Sequence, residues 1–401
     1  MTELLAPAGS RQALEAAAYF GADAVYASGK AYGLRAFADN FSPDEIKDAA
    51  AFLHGLGKRL YITLNAVFRN SDFEGLEGYI EQLRDARVDA LIITDPGVLT
   101  AVKRVAPGVP VHLSTQANTT NTRSALFWHA QGVSRVILSR ELTLEEIAQM
   151  KREIPASLEL EAFVHGAMCI SYSGRCLLSN VFTGRSGNKG ECAQPCRWEY
   201  HVSERGYEGE YLPVYADDHG TYIFNSKDLC MISRLGDMIN AGITSLKIEG
   251  RMKSEYYVAC VTRAYRRALD DALEGKPFDR TLLDEVIKAG SRAYTTGFYY
   301  GNPRESGQDT VRSSPSRTYD FVAVVKASRD VRGLMLIEQR GKFVAGDELE
   351  VLSPSLSGSF GVTDIITPEG ERRESAPHPK EALYINCPFN LMPGDMLRKK
   401  K

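Results

Sequence analysis

The 401-residue chain, 44% hydrophobic and 25% charged, holds enough apolar material for a large core and enough length for a second, smaller domain. A net charge of −3 excludes a general electrostatic attraction to nucleic acid and leaves room only for local basic patches. The opening Met1-Thr2-Glu3-Leu4-Leu5-Ala6-Pro7 lacks a basic region followed by an apolar core. No apolar run approaches the ~18 residues of a membrane span, so neither export nor membrane insertion is expected, and a cytoplasmic location is.

From the N-terminus, eight short apolar runs alternate with amphipathic stretches: Glu3–Ala6, Ala24–Ala27, Leu60–Leu64, Ala90–Thr94, Val109–Leu113, Arg135–Leu138, Leu158–Phe163 and Ser245–Ile248. The helices between them carry start signals. Ser42-Pro43-Asp44-Glu45 offers an N-cap, a proline in the first turn and an acid three residues after the cap, and Thr143-Leu144-Glu145-Glu146 is a capping box. This pattern predicts an α/β fold, a (βα)8 TIM-barrel-like domain over residues 1–300, with a doubly wound open sheet as the competing arrangement. The spacing breaks once, between the seventh and eighth runs, where residues 165–244 form an insertion. In a barrel the loops after strands build the active-site face, so this is where function would be grafted.

Beyond Ser254 a helical pattern runs to about Leu273, and a weaker one covers Leu282–Arg292. Residues 301–318, rich in turn formers, read as a linker. The remainder, 319–401, contains Phe321–Val325, Leu334–Glu338, Glu348–Leu352, Ala382–Ile385 and Met396–Arg398 as short strands, with turns at Ala345-Gly346-Asp347 and Pro393-Gly394-Asp395. A small C-terminal β-barrel is expected.

The chain has seven cysteines and no export signal, a combination that favours metal binding or catalysis over disulfides. Cys169, Cys176, Cys192 and Cys196 lie in the insertion with the spacing C-x6-C-x15-C-x3-C. Four thiolates suit either zinc or an iron–sulfur centre, because soft anionic sulfur matches both. Zinc ribbons pair two C-x2–4-C knuckles, and only Cys192 and Cys196 form one, which favours iron–sulfur. Cys230 lies in the same insertion as a reserve ligand, whereas Cys260 and Cys387 read as structural.

The run from Glu161 through Val164-His165-Gly166-Ala167-Met168-Cys169 to Arg175-Cys176-Leu177-Leu178-Ser179 resembles the signature of peptidase family U32, the collagenase-like peptidases. Leu5-Ala6-Pro7-Ala8-Gly9, Gly190-Glu191-Cys192-Ala193-Gln194-Pro195-Cys196-Arg197 and Ser245-Leu246-Lys247-Ile248-Glu249-Gly250-Arg251 extend the resemblance over about the first 300 residues. The tail resembles the C-terminal β-barrel found in part of the family. The resemblance implies a [4Fe–4S] cluster on four cysteines and oxygen-independent hydroxylation. It is nearest to the branch that converts the tRNA wobble uridine to 5-hydroxyuridine, with prephenate as hydroxyl source. Other branches act on ribosomal RNA or a quinone precursor.

A peptidase is the alternative. No H-E-x-x-H or G-x-S-x-G motif supports it, and nearness of His165 to Cys169 in sequence does not make a catalytic pair. Polar residues at strand ends supply the remaining candidates: His165 as a proton carrier, Lys247 and Glu249 as catalytic groups, and Arg35, Gln116, Asn118 and Arg251 for substrate. Arg35 and Arg251 would bind the carboxylates of a dicarboxylate or an RNA phosphate. Tyr172, Trp198 and Tyr200 are candidates for stacking on a base. Glu161 reads as a residue that fixes strand seven. Arg263, Arg266, Arg267 and the closing Arg398-Lys399-Lys400-Lys401 would serve either as a solvated charged face or as RNA contacts.

Overall fold

The computed structural model describes residues 2–34, 39–169, 171–172, 176–198, 216–217, 220–221, 226–290, 292–303, 307 and 318–401. Eight parallel strands form the first domain: β1 Glu3–Pro7, β2 Ala24–Ser28, β3 Arg59–Leu64, β4 Ala90–Ile93, β5 Val111–Leu113, β6 Arg135–Ile137, β7 Glu159–Gly166 and β8 Ser245–Ile248. Each pairs with the next, and β8 pairs with both β7 and β1, so the sheet closes on itself. That closure decides for the barrel over the open sheet. Strands such as β1, β2 and β4 are buried along their whole length, as expected where helices cover the outside and side chains fill the inside.

The helices are α1 Arg11–Tyr19, α2 Pro43–Gly55, α3 Leu76–Asp85, α4 Pro96–Val105, α5 Thr122–Ala130, α6 Leu144–Glu153, α7 Leu235–Asn240, α8 Glu255–Leu273 and α9 Thr281–Lys288. Both capping boxes are present: Ser42 and Thr143 accept from the backbone N–H of Glu45 and Glu146, whose carboxylates return the bond. Ser254 caps α8. The insertion after β7 contributes a short helix, Leu178–Thr183, and a strand, Asp228–Cys230, which pairs antiparallel with the end of β7.

The C-terminal part is an antiparallel β domain. Its principal strands are β9 Tyr319–Ala327, β10 Leu334–Gln339, β11 Glu348–Leu352, β12 Ser357–Gly361, β13 Ala382–Asn386 and β14 Met396–Lys400. They run in the order β12-β11-β14-β9-β10-β13, extended by Ile365–Ile366 and Arg372–Arg373. The domain has its own apolar core, including Val322, Ile337, Val351, Leu383 and Leu397. A second small core joins the two domains: Phe20 and Tyr256 from the barrel side meet Leu352 and Met396. Tyr256 stacks on Phe321 at 5.2 Å, and Tyr19 donates to Asp395 at 3.0 Å.

Candidate functional site

The carboxyl ends of the strands open into a pocket, as expected for the face of a barrel where side chains from several strand ends converge. Its lining brings together Gln116, Lys247, Glu249 and Arg251 from the sequence-derived candidates, with Asn65 and Arg140 beside them. Tyr26, Thr63, Ser114 and Phe163 also line it and were not anticipated. They follow the rule that residues at the ends of different strands converge, but nothing in their local sequence distinguishes them from core residues.

Arg251 is 4% exposed and donates from Nη1 to Thr63 Oγ1 at 2.7 Å and from Nη2 to the Leu34 carbonyl. Glu249 accepts from the Tyr26 hydroxyl at 3.0 Å and from the Gly250 N–H at 2.9 Å. Arg140 lies 4.0 Å from the Phe163 ring centroid and donates to the Ala167 carbonyl at 2.6 Å. Lys247 is held by Glu161 at 2.8 Å; burial lowers its pKa, opposed by the carboxylate beside it. Among the described lining residues Arg140, Lys247 and Arg251 face one carboxylate, Glu249, so the pocket is cationic. The side-chain oxygen of Gln116 is buried with no hydrogen-bond partner among the described residues, leaving an acceptor for a ligand donor.

The four insertion cysteines gather in one region. Burial pushes the Cys196 thiol up to about 11; Arg197 opposes this, and Cys169, Cys192 and Cys176 add to it, which requires all three to lie within electrostatic reach of Cys196. Cys169 and Cys192 are exposed, and Cys176 and Cys196 are half-buried. Among the described residues, no group of three or more His, Cys, Asp or Glu side chains could hold a metal ion as placed. The thiols are thus near one another without closing on a single point. The loop is tied to the mouth: Arg197 donates to the Met168 carbonyl at 3.4 Å, one residue from the carbonyl that Arg140 holds.

Several expectations are corrected. His165 does not carry a proton at neutral pH, because burial, with Lys253 adding repulsion, pulls its pKa down to about 3. It packs between Tyr257, Tyr265 and Tyr294 in the helix layer and is absent from the pocket lining. Asn118 adopts φ 56° at the end of the turn Thr115–Ala117 and bonds the Gln116 carbonyl, so it closes a turn outside the pocket. Cys230, the reserve ligand of the sequence reading, is buried with its sulfur against the Tyr265 hydroxyl, in the strand paired to the end of β7. Tyr172 and Trp198 are exposed outside the pocket, at 48% and 42%. Arg263 binds Ser357 and Glu285, Arg266 binds Asp23 and Asp270, and Arg398 is fully buried, so these three do not form an RNA face. Arg35 and Tyr200 lie outside the described residues.

Fold and site together define a (βα)8 barrel protein with a cationic mouth and a thiol-rich loop beside it. The chain belongs to peptidase family U32: residues 9–309 match the model of that family, and residues 317–398 match its C-terminal domain. It is 38% identical over 403 residues to tRNA hydroxylation protein P1 of Bacillus subtilis (strain 168), covering 100% of this chain and 95% of that protein. It is 36% identical over 429 residues to tRNA hydroxylation protein P of Escherichia coli (strain K12), covering 97% and 94%. A 23S rRNA 5-hydroxycytidine synthase of the same organism is 35% identical over 272 residues, covering 68% of this chain and 40% of that protein.

Proposed function

We propose that this chain is an iron–sulfur enzyme of tRNA modification that supports oxygen-independent hydroxylation of the wobble uridine to 5-hydroxyuridine, with prephenate as hydroxyl source. The observation that carries this reading is the juxtaposition of the four-thiol loop and the cationic pocket at one barrel mouth, in a chain similar over its full length to two tRNA hydroxylation proteins. A dicarboxylate suits a pocket presenting Arg140, Lys247 and Arg251. Cys169, Cys176, Cys192 and Cys196 would hold a [4Fe–4S] cluster, whose thiolates sit on different irons and therefore stand farther apart than the ligands of one ion. When bound, such a cluster supplies one-electron redox chemistry.

Replacing C5–H of uridine by C5–OH removes two electrons from the base, so the oxygen donor must be bound and aligned beside the base. The pocket residues hold the donor's anionic groups. The exposed rings of Tyr172 and Trp198 offer stacking faces to an unpaired base outside the pocket. No observation favours peptide hydrolysis over this reading: the Cys169 thiol is exposed while His165 is turned into the helix layer.

Two measurements test the proposal. Nucleoside mass spectrometry is applied to tRNA from a host lacking its own tRNA hydroxylation proteins, with and without this gene. Wobble 5-hydroxyuridine derivatives should appear only with the gene, and their absence would overturn the reading. Anaerobic purification should yield iron and acid-labile sulfide in equal amounts; zinc alone would remove the cluster.

A further inference from the structure

Below the pocket the barrel interior holds a continuous chain of buried charges. Arg135 on β6 reaches Glu3 on β1 at 2.6 Å and Glu161 on β7 at 3.2 Å with Nη1, and Glu159 at 2.6 Å with Nη2. The second oxygen of Glu161 accepts from Lys247 Nζ at 2.8 Å. Glu161 is fully buried, and Lys247 is 4% exposed yet lines the pocket. The Lys247 ammonium also sits 4.2 Å from the ring centroid of Tyr26 and 5.5 Å from that of Phe163.

We propose that Glu161 is a positioning residue that keeps Lys247 charged and aimed at the pocket floor, so that Lys247 anchors one anionic group of the co-substrate. This rests on the reading of the pocket as the site of an anionic hydroxyl donor. An ammonium out of water needs a fixed counter-charge. Glu161 supplies it by direct hydrogen bond and is itself held from the far side by Arg135, so the carboxylate cannot swing away without breaking its bonds to two buried cations at once. Around Lys247, Glu249 on its own chain segment adds attraction, and Arg135 from β6 adds repulsion. Tyr26 from β2 and Phe163 from β7 offer ring faces, and Arg140 and Arg251 share the pocket. His112 from β5 is held neutral by burial and by the cations Arg135 and Lys247.

The sign of the effect follows from these neighbours. Burial already lowers the pKa of Lys247, and the Glu161 carboxylate raises it back. Glu161→Gln keeps the shape and removes the charge, so the ammonium loses its proton at lower pH. Affinity for a dianion then falls as pH rises, with the alkaline loss beginning earlier than in the wild type.

The test is calorimetric binding of prephenate to the anaerobically purified full-length protein across neutral pH. E161Q should bind up to about tenfold more weakly than wild type, the scale of one charge-assisted contact, with its alkaline loss of affinity setting in at lower pH than in the wild type. E161Q combined with K247R should bind without this pH dependence, because the guanidinium stays charged. An E161Q protein with wild-type affinity and pH profile overturns the inference alone. Wild type that does not bind prephenate overturns the donor reading and the inference together. Should E161Q fail to fold, K247Q, which leaves Glu161 paired with Arg135, decides: unchanged prephenate affinity in K247Q overturns the inference.

Discussion

Cys196 and Cys230 are interchangeable in the sequence and stand in different settings in the fold. Cys196 stands among the other three insertion thiols, while Cys230 lies in a strand paired to β7 with its sulfur against Tyr265. Cys196→Ser should therefore lose most of the bound iron on anaerobic purification, and Cys230→Ser should keep it; iron analysis of the two variants side by side checks this. His165 shows why facing was not legible. Strict alternation along β7 places it with Glu161 and Phe163 on the inner face. The pairing of β7 with β8 shifts register between Lys247 and Ile248, and His165 comes out in the helix layer. Residue chemistry was readable; the side on which one irregularity leaves it was not. Arg135 was passed over for a related reason, since a charge inside a strand signals something only once its partners on β1 and β7 are known.

At the scale of elements, the local signals were reliable because they are satisfied locally. Each capping box closes within four residues, and Pro43 occupies the first turn of α2. By contrast β12, Ser357–Gly361, has the composition of a turn and is a strand only because β11 supplies its hydrogen-bond partners. The exit of β7 depends on a glycine in the same way. Gly166 has φ +108°, and a Cβ there would lie 2.7 Å from the Glu249 carbonyl oxygen. Gly166→Ala should destabilise the fold by about 1–2 kcal/mol, measured by denaturant unfolding. It should also weaken prephenate binding, since the clash pushes on the segment that carries Glu249 into the pocket.

The whole molecule is held together by a residue that looks like part of a basic tail. Arg398 bonds Glu285 on α9 at 2.9 Å and Glu350 on β11, while Arg263 on α8 reaches Ser357 at 2.6 Å. Burial raises the pKa of Glu285 and Arg398, with Lys288, outweighs it, so its net shift is downward and the lock holds above the ordinary carboxylate range and weakens as pH falls below it. Arg398→Ala should cost about 3 kcal/mol, because it removes the buried cation between Glu285 and Glu350 and leaves the partly exposed Lys288 to bridge the two carboxylates. Scanning calorimetry should then show the two domains unfolding in separate transitions instead of one. The sequence by itself determined the alternation of strands and helices, the place of the insertion with its four cysteines, and the family, because these rest on periodicity, short-range hydrogen bonds and residue type. Only the tertiary structure decided that the sheet closes, that His165 and Cys230 turn away from the site, and that Arg135, Glu161 and Lys247 form one charge chain. Each of those depends on which strands meet across the barrel, and a linear pattern carries no record of that.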